Sequence, residues 1–185
     1  MRRVFEVLQD PGLEPGEARR RVGRIALDAE AQDGEAHRKR MGALVGTDEW
    51  PPGRLLVTGV DVASGEPIVW DGSDGTPLTA AVAASSAAPG YARPVEIGGR
   101  RFMDGAFGGG SNVALAEGAG TVVLAEPMSL GAPAVGADVR TAPDAEALRA
   151  FGDDLGDMDR WSDCFQAGRR QSREVAARIA PLTRG

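Results

Sequence analysis

Cysteine, histidine and lysine each occur once among the 185 residues, as Cys164, His37 and Lys39. A single cysteine excludes an internal disulfide and fits a reducing, cytoplasmic setting. One cysteine and one histidine are too few for a conventional zinc site, so neither metal nor cofactor is expected. No window approaches 18 apolar residues, so no transmembrane segment is expected. The opening MRRVFEVLQDPG carries charge but no apolar run of the signal-peptide kind. Net charge is -6 and no basic stripe offsets it, which argues against nucleic acid as a partner. A further absence concerns chemistry: no serine lies in Gly-x-Ser-x-Gly. Ser73 has Gly75 but Asp71, and Ser111 has Gly109 but Val113. Ser64, Ser85, Ser86, Ser129, Ser162 and Ser172 also fail the pattern.

What is present fits one α/β layered domain. Hydrophobic residues make up 42% and charged residues 26%, ordinary for a globular chain. The pattern predicts helices over 1–10, 15–33 and 35–45, with Pro51-Pro52-Gly53 ending this helical segment. LLVTGVDV (55–62) reads as a buried strand that turns at Ser64-Gly65 into EPIVW (66–70). LTAAVAASSAA, introduced by Pro77 and stopped by Pro89-Gly90, reads as a helix in close contact with neighbouring backbone. PVEI-GG-RRFM (94–103) is a hairpin. Ser111-Asn112 is expected to cap a helix, and TVVLAEP (121–127) to form a buried strand. After a Gly/Ala/Pro-rich link come a short strand in DVRTA, a helix over 144–151 and a long helix over 158–180. Trp161, Cys164, Phe165, Gly168, Gln171, Val175 and Ile179 are expected on the inward side of that last helix.

The second hairpin delivers Asp104-Gly105-Ala106 to a strand end beside Gly108, Gly109 and Gly110. Asp-Gly is a common turn pair. Position adds a chemical reading, because a strand end holds a side chain rigidly and Gly105 lets the backbone swing away. A carboxylate partly removed from water there becomes a stronger base, able to take a proton from a serine hydroxyl and return it to a leaving group.

ASSAAPG, the hairpin into MDGA, the Ser-Asn step and GAGTVVLAEPM together resemble the second half of a patatin-like phospholipase domain. LLVTGVDVASGEPIVW resembles the strand pair before that motif, and the resemblance covers about residues 1–130. It implies an α/β fold of a sheet flanked by helices and a role in lipid metabolism, with a lipid or acyl ester as substrate. The family's Ser–Asp dyad cleaves acyl esters without histidine, and Asp104 falls on the aspartate of the Asp-Gly-Ala/Gly motif, which implies that it is the general base. The family's nucleophile sits in Gly-x-Ser-x-Gly on a strained turn, and its glycine-rich oxyanion loop lies earlier still. This sequence shows neither, so the expectation is one partial patatin-like domain over 1–185, truncated in its N-terminal half. Its parts would be a helical segment (1–53), a strand and hairpin core (54–130) and C-terminal helices (131–185). Such a chain is expected to be inactive alone and prone to self-association through an exposed sheet edge. The alternative is a non-catalytic fragment or pseudoenzyme that binds lipid or a protein partner.

Other candidates read more plainly. Phe107-Gly108-Gly109-Gly110 matches neither a dinucleotide nor a Walker pattern, which leaves a nucleotide-binding domain the weaker third reading. His37 reads as a surface residue, and Ser85-Ser86 as polar contacts on a helix behind the site. The runs Arg19-Arg20-Arg21 and His37–Arg40 read as solvated helix faces, and Asp153, Asp154, Asp157 and Asp159 as solvated loop charge.

Overall fold

The computed structural model describes residues 2–127, 135–152 and 157–182. Asp153, Asp154 and most of the Gly/Ala/Pro-rich link lie outside the described residues. Contacts divide the chain into two compact units, Met1–Gly109 and Gly110–Gly185.

The first unit is built on a four-stranded antiparallel sheet. β1 (Val57–Asp61) and β2 (Pro67–Trp70) form one hairpin, β3 (Val95–Ile97) and β4 (Arg100–Asp104) the other, in the order β2-β1-β4-β3. Alternation along the strands sends side chains to two faces, and each face has its own core. Val57, Trp70, Val95 and Phe102 pack with α4 (Leu78–Ser85), joined by Met41 and Val45 of α3 (Gly34–Val45). Trp70 and Phe102 meet edge to face, 5.1 Å between ring centroids. On the other face Val60 and Met103 pack with Val4 of α1 (Arg2–Leu8) and with Val22 and Ala26 of α2 (Pro15–Asp28). Burial of a side chain such as Met103 contributes about 1.5–3 kcal/mol, so the central pair β1–β4 is held from both sides. The unit is therefore a sheet between helices, as expected. Ala80, Ala81, Ala83 and Ala84 of α4 are all buried, in keeping with the close packing that its small residues predict.

Local chemistry sets the helix ends. Pro15 opens α2, with the Glu14 carboxylate accepting from Glu17 N–H at 3.1 Å. α2 stops at Asp28, short of the expected Asp33, because Asp33 serves as the N-cap of α3 and accepts from the Glu35 and Ala36 amides. α3 ends at Gly46, whose φ of 76° supplies the left-handed cap.

In the second unit β5 (Val123–Ala125) and β6 (Val139–Thr141) pair in parallel, accompanied by α5 (Ala145–Phe151) and α6 (Trp161–Ile179). Three expectations need correcting here. Val113–Ala116 forms a single 3-10 turn rather than a helix, and Asn112, at φ 57°, makes no side-chain cap. β5 is shorter than 121–127 and is not buried, with Val123 42% exposed. On α6, Trp161 and Phe165 are 69% and 57% exposed, and Gly168 is exposed too. The apolar residues of α6 span a wide arc, and a two-stranded ladder with a seven-residue α5 covers only part of it. The covered stripe is Cys164, Ala167, Gln171, Val175 and Ile179.

Candidate functional site

Asp104 is the last residue of β4, directly opposite Gly59 of β1. Two backbone features hold it. Its own amide donates to the Ala87 carbonyl just beyond α4, at 3.1 Å. Its carboxylate Oδ1 accepts from the Ala106 amide at 2.9 Å, capping a 3-10 turn over Gly105–Gly108. Oδ2 has no hydrogen bond from any described residue. One carboxylate oxygen thus fixes the side chain and the other is left to accept a proton.

The surroundings of this carboxylate are apolar. Alternation puts Asp104 on the same sheet face as Phe102. Gly59 opposite it brings no side chain, and the space a Cβ would take there is filled by the Trp70 indole, 2.7 Å from that position. Burial raises the Asp104 pKa above its ordinary 3.8, outweighing the stabilising hydrogen bond from Ala106. The result is a stronger base than a solvated aspartate.

Gly105 is required by space. A Cβ there would lie 2.5 Å from the Thr58 carbonyl oxygen, so the turn after Asp104 lies directly on β1. Phe107 anchors the same turn in the core formed with α1 and α2. Gly109 and Gly110 have φ of 103° and 140°, conformations that favour glycine, and no neighbour lies near the Cβ position of Gly110. The glycine loop is therefore open on that side.

No described serine hydrogen-bonds to Asp104. Ser64 does bond an aspartate, its hydroxyl donating to Asp61 Oδ1 at 3.0 Å. That pair is structural. Asp61 is buried, also accepts from the Ala63 and Ser64 amides, and binds Arg100 Nε at 2.9 Å. Burial pushes its pKa up, but the Ser64 and Arg100 interactions outweigh it and leave the carboxylate below 3.8, a poor base. Sequence reasoning passed over Asp61, although an aspartate three residues before a Ser in a tight turn is a signal for it.

His37 is 2% exposed, which corrects its reading as a surface residue. Its Nε2 lies 3.1 Å from Ser86 Oγ, whose own proton goes to the Val82 carbonyl at 2.8 Å. Nε2–H is then the donor, and Nδ1 accepts from Arg40 at 3.4 Å. Burial, and secondarily the Arg40 charge, push the imidazole below its ordinary 6.5. With its proton committed to backbone, Ser86 is no activated nucleophile. The pair instead joins α3 to the end of α4, one residue before the carbonyl that receives the Asp104 amide.

Part of the first arginine run also departs from expectation. Arg21 is exposed, but Arg19 and Arg20 are half-buried and donate to loop carbonyls. Glu17 accepts from Arg20, Arg21 and Arg24, and their hydrogen bonds lower its pKa to about 2.

A family model described as patatin-like phospholipase matches residues 2–117. The matched stretch runs from α1 past the Asp104 turn. No curated protein matches the chain.

Proposed function

The chain belongs to the patatin-like phospholipase family, and on that premise we propose that Asp104 is the general base of a Ser–Asp dyad that cleaves lipid acyl esters, with the serine supplied from outside these 185 residues. In the reaction so read, the serine hydroxyl attacks the ester carbonyl as its proton passes to Asp104 Oδ2. The proton then goes to the departing alcohol, and water, deprotonated by the same carboxylate, releases the acid from the acyl-enzyme. The observation that carries this reading is the Asp104 carboxylate itself. It is fixed through Oδ1, unbonded at Oδ2 among the described residues, and made more basic by burial.

A fluorophosphonate probe and a short-chain p-nitrophenyl ester test the assignment. The 185-residue chain should take up no label and turn over no ester. Labelling of one of its own serines, abolished in Asp104→Asn, would overturn the proposal.

A second reading, a non-catalytic piece that binds lipid or a protein partner, draws support from the second unit. Parallel strands are ordinarily covered on both faces, yet β5 is exposed and Trp161 and Phe165 project into solvent. Ester turnover that depends on Asp104 once a serine segment is present would decide against it.

A further inference from the structure

We propose that Arg19 is a positioning residue for Asp104, gripping the far end of the turn that the Asp104 carboxylate caps; this rests on the reading of Asp104 as the base. Arg19 lies on α2, 85 positions before the aspartate in sequence, and its guanidinium is shared between two loops. Nε donates to the Gly65 carbonyl at 2.5 Å, and a terminal nitrogen donates to the Gly108 carbonyl at 3.3 Å. Gly108 is the last residue of the 3-10 turn that Asp104 caps. The turn is thus pinned at its start by Asp104 Oδ1 and at its end by Arg19.

The anchor on the other side is firm. Gly65 closes the β1–β2 turn, its amide donating to the Asp61 carbonyl at 2.8 Å, and the Asp61 carboxylate organises the rest of that turn. α2 lies directly against it, since a Cβ on Gly65 would come 2.6 Å from the Gly16 carbonyl oxygen. Arg19 therefore ties the end of the Asp104 turn to a rigid turn, just before Gly109 and Gly110, whose φ of 103° and 140° leave the chain beyond without side-chain anchors. A planar fork with fixed donors suits this task, whereas lysine offers a single point that reaches one carbonyl or the other. Released at Gly108, the turn would lift and admit water beside Asp104, weakening the base without removing it.

The test is made on the 185-residue chain with Arg19→Lys, which keeps the charge, and Arg19→Met, which keeps the aliphatic stem. Carbon-13 NMR follows the titration of the Asp104 carboxyl, and hydrogen exchange follows the Ala106 amide. In Arg19→Lys the Asp104 midpoint should move down toward the ordinary carboxylate value, and Ala106 should exchange about tenfold faster. If Phe107 and Gly105 alone hold the turn, the midpoint stays where it is while thermal stability falls, and the proposal is wrong. Should neither variant fold, the wild-type chain still decides. The terminal Arg19 Nη1–H that donates to the Gly108 carbonyl must exchange slowly with solvent, and fast exchange there would overturn the proposal. None of these readouts involves ester hydrolysis, so a failure of the base assignment would show separately, in the labelling and turnover assays.

Discussion

Gly105 and Thr58 are packed so closely that a methyl group on the glycine would sit 2.5 Å from the threonine carbonyl oxygen. The glycine of the Asp-Gly-Ala motif is therefore a spacer, the only residue that lets the turn carrying Asp104 lie flat on β1. Gly105→Ala should destabilise the chain by about 1–3 kcal/mol through overpacking against backbone that has no rotamer to yield. Gly53→Ala is the control, with open space around its Cβ position and no left-handed φ; it should change stability by less than about 0.5 kcal/mol. Urea denaturation distinguishes the two.

The basicity of Asp104 carries a stability cost with a definite sign. A carboxyl whose folded pKa is raised contributes stability fully present below its unfolded value of 3.8 and lost as pH rises through the folded value. At neutral pH the half-buried charge is thus a liability. Asp104→Asn keeps an acceptor for the Ala106 amide and removes the charge, so it should raise the melting temperature at pH 7. The gain should shrink as pH falls through the raised folded value and be gone below 3.8. An unchanged or lower melting temperature at pH 7 would contradict the desolvation described here.

His37 has the opposite sign. Its folded pKa lies below the ordinary 6.5, so its contribution is complete above that value and is lost as pH falls through the folded one. The urea midpoint of the wild-type chain should therefore decline on acidification from pH 6.5, and His37→Gln should lack that component. Loss of the His37–Ser86 bond should cost about 1–3 kcal/mol at neutral pH, since it leaves buried polar groups without partners. Arg40 and the Ala83 carbonyl are the other groups acting on this imidazole.

Asp61 should respond to acid at lower pH than His37. Its folded pKa lies below 3.8, so the stability it contributes is present above that value and disappears as pH drops through the folded one. Asp61→Ala strands the Ala63 and Ser64 amides and should cost about 1–3 kcal/mol. Because the Gly65 anchor of Arg19 lies in the same turn, the Ala106 amide should also exchange faster in this variant.

Much of this was legible in the sequence where a local rule determines a local structure. The two hairpins follow from Ser64-Gly65 and Gly98-Gly99, and Asp104 falls at the strand end that the second hairpin implies. The family resemblance, read from ASSAAPG and MDGA, agrees with the match over 2–117. What was not legible depends on contacts between distant segments. Arg19 looks like one member of a charged run until Gly65 and Gly108 are brought to it. His37 sits among charged neighbours, Glu35 and Arg38-Lys39-Arg40, and only the Ala-rich surface of α4 explains its burial. On α6 the apolar positions give a helix correctly, but they do not reveal how much of that arc the neighbours cover, so periodicity alone puts Trp161 and Phe165 inside while both are exposed.

Whether Asp104 is the base is tested most directly by supplying a serine partner for it. The chain is joined downstream of a patatin-like segment carrying Gly-x-Ser-x-Gly, and p-nitrophenyl ester turnover is compared between wild type and Asp104→Asn. General-base catalysis predicts a fall of about 10²- to 10⁴-fold in the variant, with the fold intact by circular dichroism. Turnover by Asp104→Asn within about twofold of wild type, at equal stability, would contradict the account.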